Sequence, residues 1–235
     1  MISRKILKRI RAPFRRVRGV VAMAFGRVSS ATPLARDFGE SRGTPIDRIY
    51  IEDFLERHRA DIHGHVLEIG DDTYSRRFGG ARVCRQDVLH LYLNTPGATM
   101  FGDLAEPGTL PEQTFDCIIF TQTLQLIFDL RGVAEQLYRA LRPGGVALIT
   151  VPGISPIDLG TWRESWCWSL TDVALRRLFD EAFGAGQTEV SSFGNLFAAT
   201  AFLHGAAVEE VGRARLQRFD PAYPVTVVAR ARRDD

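Results

Sequence analysis

Two patterns of apolar residues alternate through most of the chain. Short, nearly uninterrupted apolar runs, rich in β-branched and aromatic residues, predict strands that are covered on both faces. Apolar residues spaced three or four apart predict amphipathic helices between these runs. The predicted strands are 66–69, 82–88, 98–101, 115–120, 146–151, 188–192 and 224–229. The predicted helices are 45–59, 130–141, 171–183 and 196–211.

This alternation predicts an α/β fold with a doubly wound, mostly parallel sheet. In such a sheet the ligand binds at the carboxyl ends of the strands. The helix at 130–141 is expected to end before Pro143-Gly144-Gly145, because these residues do not continue a helix. We therefore expect the chemistry in the loops that follow the strands.

The basic residues are concentrated at the amino terminus. The chain of 235 residues has 30 basic and 28 acidic side chains, and nine of the bases but no acid lie in the first 30 residues. Apolar residues recur there at steps of three or four, interrupted by Pro13. This pattern is typical of a membrane-surface or nucleic-acid contact, or of a terminal extension that is poorly ordered or docked on the core.

Charge and cysteine content limit the partners and the compartment. Residues 31–235 are net acidic and offer no basic stripe, so nucleic acid is not an expected partner. Cys84, Cys117 and Cys167 lie far apart, which argues against a disulfide framework or a zinc site. No apolar run approaches the roughly 18 residues of a membrane-spanning helix. We expect a cytoplasmic protein, with peripheral membrane contact through residues 1–30.

The most specific local pattern lies at the end of the first predicted strand, Gly64-His65-Val66-Leu67-Glu68-Ile69-Gly70-Asp71-Asp72. In a dinucleotide site, position 72 is a second glycine, where the backbone approaches a pyrophosphate. Two carboxylates at 71 and 72 repel a pyrophosphate. They suit a ligand with positive charge, such as S-adenosylmethionine, which has a sulfonium and an ammonium group but no phosphate.

Val66-Leu67-Glu68-Ile69-Gly70 resembles the first motif of class I S-adenosylmethionine-dependent methyltransferases. Segment 166–171 is similar to one in small methyltransferases often found beside glycosyltransferases. The resemblance covers residues 44–230 and implies a seven-stranded Rossmann-like sheet with a last antiparallel hairpin. The chain departs from the family at Asp72, where most members have glycine. Further segments that follow in the family's order are 102–104, 114–119 with Gln122, 141–145 and 147–149.

The resemblance implies S-adenosylmethionine as the cofactor and assigns the first turn to its methionine part. Glu68 and Gly70 are expected to line this pocket, with Glu68 or Asp71 near the ammonium group. Asp72 belongs to the same turn. The structural alternatives are that Glu68 is a surface-facing strand end and that Asp72 or Thr73 caps a short helix at 74–78.

The remaining cofactor contacts are expected after the next strands. Asp87 follows Gly70 by 17 residues, at the predicted end of the second strand, where a carboxylate accepts both ribose hydroxyls. Asp103 is expected to accept from the adenine amino group, and Gln122 to lie where the transferred methyl group points. The alternatives are capping or turn roles for the two aspartates and a backbone contact for Gln122. The residues expected to flank the adenine ring are Val88 and Leu104.

The acceptor side is expected to be aromatic. Tryptophan faces pack well on sugars and other rings, although core packing also explains these residues. Methyl transfer is an in-line displacement that requires no metal. We assign no catalytic base, because the histidines at 63, 65 and 90 are candidates only by residue type. The residues expected to form the wall for the acceptor are Arg48, Tyr50, Trp162 and Trp166, together with Trp168.

These patterns predict a basic extension and linker at residues 1–43 and a methyltransferase-like domain at 44–235. The expected reaction is transfer of a methyl group from S-adenosylmethionine to a small molecule or glycan, at oxygen. Two alternatives stay open. One is a non-catalytic module that docks on a membrane or an enzyme complex through the basic segment, and the other is methylation of RNA.

Overall fold

The computed structural model describes residues 31–234, so the predictions made for the basic segment lie outside the described residues. The described chain falls into two compact units. The first comprises residues 31–49, 154–158 and 193–225, and the second comprises 50–153, 159–192 and 226–234. Within residues 31–234, no helix is long and apolar enough to cross a membrane.

Seven strands form one sheet in the order β3-β2-β1-β4-β5-β7-β6. All strand pairs from β3 to β5 are parallel, and β7 runs antiparallel to β5. The prediction of a doubly wound, mostly parallel, seven-stranded sheet is therefore confirmed. The strands are β1 (Gly64–Ile69), β2 (Val83–His90), β3 (Met100–Phe101), β4 (Phe115–Thr121), β5 (Leu141–Pro152), β6 (Thr188–Phe193) and β7 (Thr226–Arg232).

Two of the helices that flank the sheet begin where a polar side chain caps them. Asp129 accepts a hydrogen bond from the Gly132 backbone N–H at 3.0 Å, and Thr171 accepts one from Ala174 at 3.2 Å. The α-helices are α1 (Ile46–Arg57), α2 (Leu130–Ala140), α3 (Asp172–Phe183), α4 (Leu196–Leu203), α5 (Val208–Val211) and α6 (Arg213–Leu216). The short turns are a π-helical turn at Ser75–Gly79 and 3₁₀ turns at Gly80–Arg82 and Leu124–Leu126.

The core of the second unit lies on both faces of the central strands. Phe115 and Phe120 of β4 are fully buried, as is Phe179 of α3. Val133 and Leu137 of α2 belong to the same cluster, in agreement with the predicted apolar stripe of that helix. Burial of each such side chain stabilises the fold by about 1.5–3 kcal/mol, which fixes the strands whose ends form the site.

Two predicted elements differ from the structure. The strand predicted at 146–151 begins at Leu141, because Leu141 pairs with Phe115 and a register shift accommodates the following Pro-Gly-Gly segment. The helix predicted at 196–211 breaks after Leu203. Gly205 has φ of +67°, and a Cβ atom there would lie 2.3 Å from the carbonyl oxygen of Ala35. That close approach requires glycine and ends the helix.

The two edge strands of the sheet limit their unpaired backbone groups in different ways. β3, beside β2, has only two residues. At the other edge, the Arg176 guanidinium of α3 donates to the carbonyl oxygens of Thr188 at 3.0 Å and Val190 at 3.2 Å in β6. The side chain thus satisfies two carbonyl groups of this edge strand.

Candidate functional site

The strand order places a topological switch between β1 and β4. The chain leaves β1 toward β2 on one side and leaves β4 toward β5 on the other, so the connections diverge at the carboxyl ends of β1 and β4. Ligands of open α/β sheets bind in the crevice at such a point. Gly70 follows β1 and Gln122 follows β4, so both residues lie at this edge.

Gly70 opens the turn after β1. Its φ is +92°, a conformation that side chains with a Cβ atom rarely adopt, and its N–H donates to the Leu89 carbonyl at 3.0 Å. A Cβ atom built at this position would meet no other atom within 4 Å. The turn therefore faces open space, as required for a ligand that approaches the backbone.

Glu68 is 2 % exposed and holds the segment after the turn. Its carboxylate accepts the backbone N–H of Tyr74 at 3.0 Å and that of Ser75 at 2.8 Å. Burial raises the pKa of Glu68 to about 7, although the hydrogen bonds from Ser75 and Tyr74 act in the opposite direction. The alternative that Glu68 faces the surface is wrong. The alternative that Asp72 or Thr73 caps the short helix is also wrong, because the N-cap residue is Tyr74 and no side chain makes a capping hydrogen bond there. The Glu68 carboxylate binds the backbone N–H groups at the start of this helix instead.

Asp71 and Asp72 bring negative charge to the mouth of the same turn. Asp71 is exposed, and its Oδ1 accepts the backbone N–H of Thr73 at 2.8 Å. The Asp72 carboxylate lies 2.5 Å from the guanidinium of Arg76. Of the acidic groups in this turn, the Asp71 carboxylate is the more accessible to a cation, because Glu68 is buried and Asp72 has a basic partner.

Asp87 does not lie at the end of β2, as predicted, because the strand continues for three residues to His90. Its carboxylate accepts a hydrogen bond from Thr99 Oγ1 at 2.7 Å and lies 2.6 Å from His65 Nε2. The ribose contact of Asp87 stays a prediction, and the strand-end position on which it was based is corrected. Val88 is buried, and its backbone N–H donates to Thr99 Oγ1 at 2.9 Å.

The residues predicted for adenine lie just after β3. Asp103 is exposed, and its Oδ1 accepts the backbone N–H of Ala105 at 2.9 Å, so it shapes a turn there. Leu104 is buried, and its carbonyl accepts from Gln136 Nε2 at 3.0 Å. The exposed carboxylate retains an oxygen that faces away from this turn contact.

Gln122 has φ of +48°, a left-handed conformation that is strained for a residue other than glycine. Its backbone N–H donates to the Thr150 carbonyl at 2.9 Å, and its own carbonyl accepts from Gln125 Nε2 at 2.8 Å. Strain of this kind concentrates at functional sites. Sequence reasoning missed Gln125, which is 2 % exposed and whose Oε1 has no partner.

The five residues predicted for the acceptor wall differ in exposure, and Trp168 is half-buried. Arg48 is exposed, whereas Tyr50 is buried, and burial raises the pKa of its hydroxyl. Trp162 and Trp166 are half-buried in one turn, where the Trp166 N–H donates to the Trp162 carbonyl at 3.0 Å. Their contact with an acceptor stays a prediction. Sequence reasoning missed Phe128, which is 76 % exposed although it is aromatic.

The histidines that are candidates for a base by residue type have specific surroundings. His65 is buried against Asp87, and the Nδ1 of His90 lies 3.0 Å from Thr95 Oγ1. In each of these two histidines, a side-chain partner thus occupies one ring nitrogen, and we assign neither of them as a base. Among residues 31–234, no group of three or more His, Cys, Asp or Glu side chains is placed to hold a metal ion.

The residues at the carboxyl edge fit S-adenosylmethionine. The cofactor needs an unobstructed backbone turn and negative charge near its ammonium and sulfonium groups. Gly70 supplies the open turn, and Asp71 supplies an exposed carboxylate beside it. The second carboxylate at position 72 makes the same turn unsuitable for a pyrophosphate.

Comparison with known proteins identifies the family. The family model described as "Methyltransferase domain" matches residues 41–184, more than half of the chain. A relative from Mycolicibacterium smegmatis, named "Probable S-adenosylmethionine-dependent methyltransferase", is 29 % identical over 93 residues. That match covers 40 % of this chain, and the chain spans only about a third (32 %) of that relative's length.

Two solved structures share the fold at low sequence identity. A S-adenosylmethionine-dependent methyltransferase from Archaeoglobus fulgidus has a TM-score of 0.53 and 12 % identity, with 79 % of this chain and 94 % of that one covered. The [4+2]-cyclase SpnF has a TM-score of 0.52 and 14 % identity, covering 94 % of this chain and 93 % of that one. At this identity the likeness concerns the fold alone.

The chain belongs to the methyltransferase domain family. This membership confirms the class I methyltransferase resemblance seen in the sequence, and S-adenosylmethionine as the cofactor agrees with the same findings. The neighbour that is a [4+2]-cyclase shows that the reaction has to be argued from the site and not from the fold.

Proposed function

We propose that this chain transfers a methyl group from S-adenosylmethionine to a hydroxyl oxygen of a small molecule or glycan. The observation that carries the proposal is the turn after β1, where an open backbone at Gly70 adjoins the exposed carboxylate of Asp71. Family membership supports the cofactor. The class of acceptor and its oxygen atom are part of the proposal.

The proposed cofactor contacts divide by position along the carboxyl edge. Asp71 binds the ammonium group, and Glu68 supports the turn from beneath through Tyr74 and Ser75. Asp103 accepts from the adenine amino group with its exposed carboxylate, and Val88 and Leu104 provide apolar contact for the ring. Gly70 and Asp72 complete the methionine pocket, Gln122 lies nearest to the reacting end, and Asp87 is the predicted ribose ligand.

S-adenosylmethionine supplies an activated methyl group with a neutral thioether as the leaving group. The protein's part is to hold the acceptor oxygen in line with the methyl carbon and to exclude water from that line. Gln122 is suited to this role, because the hydrogen bonds of its backbone to Thr150 and Gln125 fix its position after β4. An oxygen acceptor must also lose its proton, to a base within hydrogen-bond reach or to water.

Titration calorimetry with the full chain tests the cofactor step. S-adenosylmethionine and S-adenosylhomocysteine are expected to bind saturably and to raise the melting temperature. Asp71→Asn is expected to weaken binding of both compounds about tenfold, since both have the ammonium group. Glu112→Gln is a matched control, because Glu112 is an exposed acid before β4, and it should leave binding unchanged.

Flat titrations of folded protein would overturn the proposed function and favour the non-catalytic module. A separate experiment tests transfer to oxygen. The chain is incubated with S-adenosylmethionine labelled in its methyl group and with extracts that contain candidate acceptors, and the labelled product is then treated with base. An ether-linked methyl group is expected to survive, whereas a base-labile ester would exclude a hydroxyl acceptor, and a methylated amine would place transfer on nitrogen.

A further inference from the structure

A surface pocket lies between α2 and α3 and is also lined by residues of the segments that precede both helices. Its volume is about 510 Å³, and both helices that border it belong to the second compact unit. Two of its lining residues, Phe128 and Trp168, lie in the segments that join β4 to α2 and β5 to α3. Both segments leave the carboxyl ends of their strands, so this end of the pocket lies on the side of the sheet at which the methyl group is proposed to be transferred.

The wall of this pocket is an aromatic pair. The rings of Phe128 and Trp168 stack with centroids 5.5 Å apart at 29°, and Phe128 is 76 % exposed. Pockets for small molecules are lined mainly by apolar and aromatic side chains. The exposed ring offers its face to a ligand.

Trp168 is held in place by hydrogen bonds although it lies on a loop. The Trp168 indole N–H donates to the Ile127 carbonyl at 3.1 Å, and its backbone N–H donates to the Gln125 carbonyl at 3.2 Å. The Cys167 N–H donates to the same Gln125 carbonyl at 2.9 Å. Because these bonds join the loop after β4 to the segment before α3, the pair is organised before any ligand binds.

The rim of the pocket carries charges of both signs. Arg131 pairs with Glu181 at 2.8 Å, and Asp129 also lines the pocket. Within residues 31–234, Arg177 has no hydrogen-bond or ion-pair partner. A guanidinium group without an acidic partner is suited to a carboxylate or phosphate of a ligand.

We propose that this pocket binds the methyl acceptor, and that the acceptor is an acidic sugar. The C–H face of a sugar ring stacks on the exposed face of Phe128, and Arg177 pairs with the carboxylate or phosphate of the sugar. The rim has both acceptors and donors, at Asp129 and Arg131, which suits a ligand whose hydroxyls do both. An aromatic carboxylic acid without hydroxyl groups is less suited to the pocket than a sugar, because it has no donor for the Asp129 carboxylate. The proposal rests on the proposed function and names its substrate class.

Saturation-transfer NMR with the full chain tests the pocket without the cofactor. The probes are methyl glucuronide, glucose 1-phosphate and methyl glucoside, which differ in the anionic group. At least one acidic probe is expected to bind about tenfold more tightly than methyl glucoside. Tighter binding of methyl glucuronide identifies the anion as a carboxylate, and tighter binding of glucose 1-phosphate identifies it as a phosphate. Equal binding of all three probes, or binding of none, would overturn the proposal.

Substitutions locate the binding. Phe128→Ala is expected to weaken acidic and neutral probes alike by about tenfold. Arg177→Gln is expected to weaken the acidic probe by a similar factor and to leave methyl glucoside unchanged. The matched controls are Leu93→Ala, at a 74 % exposed apolar residue after β2, and Arg36→Gln, at an exposed arginine of the first unit.

The outcomes separate this proposal from the proposed function. If the chain binds S-adenosylmethionine but no acidic sugar, the acceptor proposal fails alone. If the acidic sugar binds and S-adenosylmethionine does not, the proposed methyl transfer fails, while the pocket is retained as a sugar-binding site. Equal effects of the pocket and control variants would place the binding elsewhere and overturn the assignment of this pocket.

Discussion

The imidazole Nε2 of His65 in β1 lies 2.6 Å from Oδ2 of Asp87 in β2. The other oxygen of Asp87 accepts from Thr99, and the His65 ring packs edge-on against Phe115 with centroids 4.8 Å apart. Burial acts to raise the pKa of Asp87, but the hydrogen bonds from Thr99 and His65 hold it below its usual range. A buried polar network thus joins two central strands to the segment before β3.

Replacement of Asp87 by asparagine tests whether this network stabilises the fold. Asp87→Asn loses a charge-assisted bond and leaves a donor facing either His65 or Thr99, so the free energy of unfolding should fall by about 1–3 kcal/mol. Urea unfolding measures this change. Asp103→Asn, at an exposed turn position, serves as the control. Unchanged stability with weaker cofactor binding would show instead that Asp87 is primarily a ribose ligand.

The pKa of Glu68 predicts a specific pH dependence of stability. The folded-state pKa of Glu68 is about 7 and lies above the ordinary value of 4.5. The stabilisation of the fold that results from this shift is therefore fully present below about pH 4.5 and is lost as the pH rises through 7. The stability of Glu68→Gln relative to the wild type should therefore increase between about pH 5 and pH 8. Urea unfolding across this range measures the difference, and a constant difference would contradict the assigned pKa.

The left-handed backbone of Gln122 predicts opposite effects on stability and activity. Gln122→Gly removes the strain of a positive φ and should raise the free energy of unfolding by up to about 1 kcal/mol. The same change should lower kcat, because the side chain that is proposed to lie nearest to the transferred methyl group is lost. Gln122→Ala separates the two effects, since it removes the side chain but keeps the strain. If both variants retained full kcat, Gln122 would have no positioning role.

Deletion of residues 1–30 tests the predicted role of the basic segment. The deletion should leave the dissociation constant for S-adenosylmethionine unchanged, because the proposed cofactor contacts begin at Glu68. Flotation with vesicles that contain anionic lipid should show binding of the full chain and its loss on deletion. Vesicles of neutral lipid are the control. Equal flotation of both chains would exclude a membrane role for the segment.

The sequence predicted the sheet because each central strand is an apolar run of distinct composition. Phe115–Phe120 was recognisable in this way, and the structure extends it by one residue to Thr121. Glu68 near the end of β1 and Gly70 after it indicated the candidate site for the same reason, since they interrupt an apolar run at a strand end. Patterns of period and residue type are local, and local patterns report elements well.

The partners of individual side chains depend on distant residues and were not predictable. The cofactor contact of Glu68 stays a prediction, and the two backbone groups that its carboxylate binds, six and seven residues later, were not foreseen. The end of β2 was placed too early because Asp87 is polar, although His65, 22 residues away, makes it a buried strand residue. Phe128 gave no signal, since exposure of an aromatic side chain is a tertiary property.

The two outer strands of the sheet have a consequence for behaviour at high concentration. A strand with unpaired backbone groups is a template onto which a neighbouring molecule adds its own strand. β3 is too short to present such a template, and Arg176 occupies two carbonyls of β6. The sheet is in this way protected against edge-to-edge aggregation, without a loss of length in the strands that support the candidate site.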